Sequence, residues 1–281
     1  MGTPATSALL AVIRRACVVL FALLITRGRV DAQSRDYVVL QVAGCQSTIP
    51  WAVNERGDAV GNALSCAGGV QDFAFFYREG VYLAIDVPGA VITIPTDIND
   101  RGMVVGYYRT PTGELGAFTL WRGEYQSLKV PGVNLVPQGI NNRGDITGWV
   151  PTPESYRAFL LTKDRDFTIL TGEGDLEGLQ AWKINSSGLI VGSAFSPTRG
   201  PVSFLYRRGE YSIADLPGIF YAVNDRGDVA AEIPGSGFVV FRQGTPLELN
   251  HPETSYTIFD LSNRWAVGAL GGGSGYLLRL P

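Results

Sequence analysis

One motif recurs along the chain and limits what it can fold into. WAVNERGDAVG at 51–61 returns as TDINDRGMVVG at 96–106, QGINNRGDITG at 138–148, WKINSSGLIVG at 182–192 and YAVNDRGDVAA at 221–231. Its asparagines, Asn54, Asn99, Asn141, Asn185 and Asn224, are separated by 45, 42, 44 and 39 residues. A period just above forty marks stacked supersecondary units, none of which can bury a core alone.

The motif has the chemistry of a tight hairpin. Asn at the first turn position caps the turn with its side chain. The glycine three residues on (Gly57, Gly102, Gly144, Gly188, Gly227) takes the positive φ that a Cβ penalises. The expected local structure is strand, type I turn with a glycine bulge, strand. Asp97-Ile98-Asn99-Asp100 faintly resembles a calcium loop, but lacks a glutamate at the twelfth position and is not repeated, so no metal is expected.

Each unit carries four strand signals. In the first these are 51–54, 58–64, 72–77 and 81–87; in the second 97–99, 103–108, 116–121 and 124–130. Four antiparallel strands in about forty residues, with no helical period after residue 33, is the profile of a β-propeller blade. The last unit supplies only three strands, 255–260, 265–270 and 275–280. Residues 36–44, ahead of the first motif, resemble the fourth strands of other units. The expectation is an all-β, six-bladed propeller whose last blade is closed by the N-terminal strand, which removes exposed edges.

The hairpin is followed by Ala-Phe and by an aromatic-Arg turn ending in glycine. The pairs are Ala74-Phe75, Ala117-Phe118 and Ala158-Phe159, with Ser203-Phe204 close to them; the turns begin at Tyr77, Trp121 and Tyr206. This combination resembles the HAF-type extracellular repeat proteins over nearly all of the chain beyond residue 33. Phe73, Gly116, Arg157 and Val202 stand where the namesake triplet has histidine. The resemblance implies secretion and a propeller-like fold, and brings no defined activity with it.

Residues 1–32 read as a secretory signal: Arg14 and Arg15, an apolar run from Ala16 to Ile25, and a small-residue cleavage site at Val30-Asp31-Ala32. An uncleaved anchor is the alternative. The expected product is a secreted or periplasmic domain over 33–281, a monomer with no membrane span after cleavage. Losing that segment changes 23 Lys+Arg against 26 Asp+Glu to 19 against 25, without a basic cluster, which disfavours a nucleic-acid partner. Cys45 and Cys66 then remain, and in an exported chain they suggest one disulfide between loops of one face, two free thiols being the alternative.

Strand direction sorts the loops. With the four strands of a unit lettered a to d, the Asn-x-x-Gly and Arg-x-Gly turns share one face, and the variable b–c loops and d–a crossings (45–50 and 90–95 among the crossings) share the other, where binding usually resides. Three residues before each motif asparagine stand Trp51, Thr96, Gln138, Trp182 and Tyr221, with Tyr256 taken as the sixth. If the first strands line the axis, these residues ring a channel mouth beside Asp97 and Lys183, suited to a sugar or flat polar ligand. The plainer alternative is that the aromatics pack between blades.

Catalytic constellations do not assemble. A Ser-His-Asp triad would need His251, the only histidine, and no nucleophile elbow accompanies it. Glu173, Asp175 and Glu177 form an acidic loop that reads as a solvated run, a carboxylate pair being the alternative, and no cofactor is expected. The leading expectation is a propeller that binds a carbohydrate, a cell-envelope component or a protein through its variable face. The alternative is a hydrolase or lyase acting on a polysaccharide or lactone.

Overall fold

The computed structural model describes residues 36–172, 176–214 and 218–281. The expected signal segment, Glu173, Asp175 and Pro217 lie outside the described residues. Among the described residues the regular structure is entirely β, in six four-stranded antiparallel sheets. Successive inner strands touch and the sixth touches the first, so the sheets are the blades of a closed six-bladed β-propeller. Among the described residues no helix is long and apolar enough to cross a membrane.

Blade 1 runs outward through Cys45–Val53, Ala59–Cys66, Phe73–Arg78 and Val81–Ala84, called strands a to d. The a strands of blades 2 to 5 are Ile92–Ile98, Val136–Ile140, Glu177–Ile184 and Ile219–Val223. Blade 6 is Asp260–Leu261, Trp265–Ala269, Gly275–Arg279 and, as its outer strand, Tyr37–Leu40. Tyr37 lies opposite Leu278 and Leu40 opposite Gly275, so the N-terminal strand closes the ring.

Two local expectations change. Strand a begins well before the motif, so 45–50 and 92–95 are strand rather than crossing loop. Cys45 and Cys66 are therefore not loop residues: they face each other across strands a and b, where they form the disulfide. In blade 6, by contrast, strand a is reduced to two residues, and Tyr256 makes only an isolated bridge to Leu270.

The core lies between blades, with the Ala-Phe pairs at its centre. Phe75, Phe118, Phe159 and Phe204 are fully or almost fully buried. Each sits opposite the strand-b glycine that ends the motif, Gly61, Gly106, Gly148 or Gly192. A ring covering a glycine in the neighbouring strand restores packing that the missing side chain forfeits.

Candidate binding site

The recurring asparagine does more than close its turn. Asn141 Oδ1 accepts from the backbone N–H groups of Arg143, Gly144 and Asp145, the capping role the sequence suggests. Its Nδ2 reaches across to the next blade and donates to Asn185 O at 3.2 Å. The same bond links Asn54 to Asn99, Asn99 to Asn141, Asn185 to Asn224, and Asn224 to Ser262. Six blades are thus stapled in sequence around the axis. Asn185, which starts a glycan sequon, is buried in this ring.

Above the staples, each a strand of blades 1 to 5 carries a register shift, at Pro50/Ala52, Pro95/Asp97, Pro137/Gly139, Ala181/Lys183 and Phe220/Ala222. A bulge leaves one residue unpaired and re-aims side chains. The unpaired residues are Trp51, Thr96, Gln138, Trp182 and Tyr221, and all five line a cavity of about 400 Å³ on the axis. That volume falls within the usual range for small-ligand sites. Phe259, not Tyr256, completes the circle. Tyr256 instead stacks on His251 at 3.8 Å and stands edge-on to Tyr276, within the packing of blade 6.

Each blade contributes one aromatic ring to the cavity wall. In blades 1, 4 and 5 it comes from strand a, as Trp51, Trp182 and Tyr221, and in blade 6 from Phe259, the residue just ahead of strand a. In blades 2 and 3 strand a offers Thr96 and Gln138, and the ring comes from strand b, as Tyr107 and Trp149. Where strand a carries tryptophan, strand b carries a partner for its indole: Trp51 Nε1 donates to Asn62 Oδ1 at 2.9 Å and Trp182 Nε1 to Ser193 Oγ at 3.0 Å. Tyr221 likewise donates to Glu232. Those rings are held in fixed orientations. The Trp149 indole N–H is buried without a hydrogen-bond partner among the described residues, and burial raises the pKa of the Tyr107 hydroxyl.

Lys183 forms the floor. Its Nζ lies 2.9 Å from Asp97 Oδ1, 3.3 Å from Asp260 Oδ1 and 3.2 Å from Thr96 O, which occupies all three ammonium donors. Asp97 Oδ2 accepts from Ile140 N–H and Asp260 Oδ2 from Val53 N–H, so the cluster ties blades 1, 2, 3, 4 and 6 together. These charged residues alternate around the ring with small ones: Ala52, Asp97, Gly139, Lys183, Ala222, Asp260. At Gly139 a Cβ would come within 2.9 Å of the Lys183 backbone, so the small positions make room for the charged ones. Burial alone would lower the Lys183 pKa, but the charges of Asp260 and Asp97 outweigh it and raise it. Two carboxylates share that one ammonium, and burial pushes Asp260 up to about 7 against the pull of Lys183.

The sequence places Asp97 and Lys183 at a mouth. In the structure they belong to a charged axle that separates the cavity from a shallow depression of about 60 Å³ on the turn face. The wall open to a ligand is aromatic rings with Ile94, Thr96 and Gln138. Tyr107, Trp149 and Phe259 escape notice in a scan anchored on strand a alone. A signal for two of them exists: eleven residues after Thr96 and Gln138, where the first ring is missing, stand Tyr107 and Trp149.

These features define a six-bladed propeller with an aromatic cavity on its axis. No family model matches the chain, and no curated protein matches it. Among solved structures it is similar to a triple mutant of AofleA from Arthrobotrys oligospora, at 12% identity and a TM-score of 0.55, over 89% of this chain and 88% of that one. It is also similar to YCF48 bound to D1 peptide, at 11% identity and a TM-score of 0.50, over 89% and 98%. A catalytically inactive virginiamycin B lyase from Staphylococcus aureus with quinupristin gives 12% identity, a TM-score of 0.49 and coverage of 87% and 99%. At these identities the likeness is one of fold.

Proposed function

We propose that this chain is an exported binding protein of the HAF-repeat type whose ligand site is the axial cavity on the variable-loop face. The observation that carries the binding reading is the composition of the wall. Every blade supplies a ring, and among the described residues no carboxylate or imidazole lines the cavity. Hydrolysis or elimination needs a positioned acid, base or nucleophile. Lys183, the one ammonium there, is saturated by its own partners. A binder needs only faces and a few fixed polar groups. The disulfide suits an oxidising compartment.

A thermal-shift screen with small molecules and peptides, run in parallel on the native chain and on Thr96→Phe, tests the site. Compounds that raise Tm in the native chain should lose their effect when the added ring fills the cavity. Ligands that stabilise both proteins equally would move the site elsewhere. YCF48 was captured with a peptide, so peptides belong in the screen beside sugars.

A further inference from the structure

The cavity is two-sided, and the two sides together specify a ligand class. We infer that it takes the terminal ring of a neutral carbohydrate, a deduction that rests on the binding role proposed above. Blades 4, 5, 6 and 1 form a continuous aromatic arc of Trp182, Tyr221, Phe259 and Trp51. Facing it, blades 2 and 3 add to the Tyr107 and Trp149 rings the side-chain amide of Gln138, whose hydrogen-bonding capacity is unused among the described residues.

Charge excludes other classes. An anion finds no free donor of positive charge, because Lys183 spends its three on Asp97, Asp260 and Thr96 O. A cation finds no free carboxylate, since both axle carboxylates are held by Lys183 and by backbone N–H groups. Burying an uncompensated charge is costly, so the occupant is neutral. A wholly apolar occupant fails for the opposite reason: it would strip water from the Gln138 amide and leave its donors and acceptor unpaired. A pyranose meets both sides at once. Its C–H face lies on aromatic rings, and its hydroxyls both donate to and accept from an amide.

Three of the chain's five tryptophans, Trp51, Trp149 and Trp182, line the cavity, so intrinsic fluorescence reports its occupancy. The test titrates methyl glycosides of glucose, galactose, mannose and N-acetylglucosamine, with glucuronic acid and a set of aromatic peptides as comparators. Targets are the native chain, Trp182→Phe and Gln138→Leu, each checked for an unchanged melting profile. Saturable quenching by at least one neutral glycoside, weakened about tenfold or more by Gln138→Leu, supports the inference, since one hydrogen bond of about 1.4 kcal/mol is worth that factor. Trp182→Phe, which keeps a stacking face, should weaken it less. Binding of peptides or of glucuronic acid alone, lost in Thr96→Phe, would overturn the carbohydrate assignment and leave the binding role standing. No response to any comparator, together with a blank thermal-shift screen, would overturn both.

Discussion

Replacing Lys183 with methionine removes the centre of the axle while keeping its length. The ammonium makes three contacts, at 2.9, 3.3 and 3.2 Å, and without it Asp97 and Asp260 are left buried beside each other. Breaking a buried pair from one side costs about 3–5 kcal/mol. For a domain of this size about 2–4 °C of Tm goes with each kcal/mol, so Lys183→Met should melt about 6–20 °C lower. The loss should depend on pH. Asp260 is already raised from 3.8 to about 7 with the lysine present, and removing the lysine raises it further. At pH 5 the buried Asp260 takes up a proton and the penalty shrinks; at pH 8 it must ionise or stay protonated at a cost that grows with pH. Thermal melts by circular dichroism at pH 5 and pH 8 read the difference, and adding Asp260→Asn should recover part of the loss at pH 8. A Tm fall of equal size at both pH values, or none at pH 8, would refute the reasoning.

Other parts of the architecture can be tested separately. Asn141→Ala removes a turn cap and a bond to the next blade, and should cost about 2–3 kcal/mol in urea unfolding. Asn141→Ser should cost less, because Ser262 caps the blade 6 turn through its hydroxyl. Replacing Cys45 and Cys66 by serine opens a link with a sequence separation of 21, worth about 3 kcal/mol in the chain-entropy account, and the native chain should show a matching Tm loss under reductant. Burial alone would raise the Asp228 carboxyl, but hydrogen bonds from Arg242 and Asn224 outweigh it and hold its pKa below 3.8. Its contribution is therefore complete above that value and fades as pH falls through the lowered one. The penalty of Asp228→Asn in melts at pH 7 should diminish towards pH 2.

The hairpins were legible because Asn and Gly act locally: one caps, the other takes the positive φ, observed at +79° for Gly57. Ring closure was legible because residues 36–44 match the strand that blade 6 lacks. The inter-blade staple was not, since an asparagine Nδ2 reaching 42 or 45 residues along the chain leaves no local trace. Tyr256 was misplaced because blade 6 has no motif asparagine to count from. Its turn is one residue shorter, closing from Ser262 N–H to Trp265 O, whereas Asn54 N–H closes on Asp58 O. Counting back three from Ser262 gives Phe259, and two gives Asp260. The alternation of small and charged residues in the axle becomes visible only once that count is right.

The bulge explains why cavity and axle can occupy consecutive residues. Alternation in a regular strand would send Trp182 and Lys183 to opposite faces, whereas the unpaired residue lets one line the cavity while the next enters the axle. The bulge also pushes a strand-a carbonyl towards strand b, where a Cβ on Gly192 would lie 2.3 Å from Gln180 O and 2.4 Å from Phe204 Cζ. Blade 5 solves the same problem differently, with Ala231 opposite Val239 in place of glycine opposite phenylalanine. Side-chain volume has moved from strand c to strand b. Gly192→Ala alone should therefore cost about 1–3 kcal/mol as overpacking, and Phe204→Val alone should also destabilise by leaving a gap. The double variant recreates the blade 5 pairing in blade 4, and should cost less than the two single losses added together. Strictly additive losses in a double-mutant cycle would show that the glycine answers to the carbonyl alone and that the opposing ring plays no part.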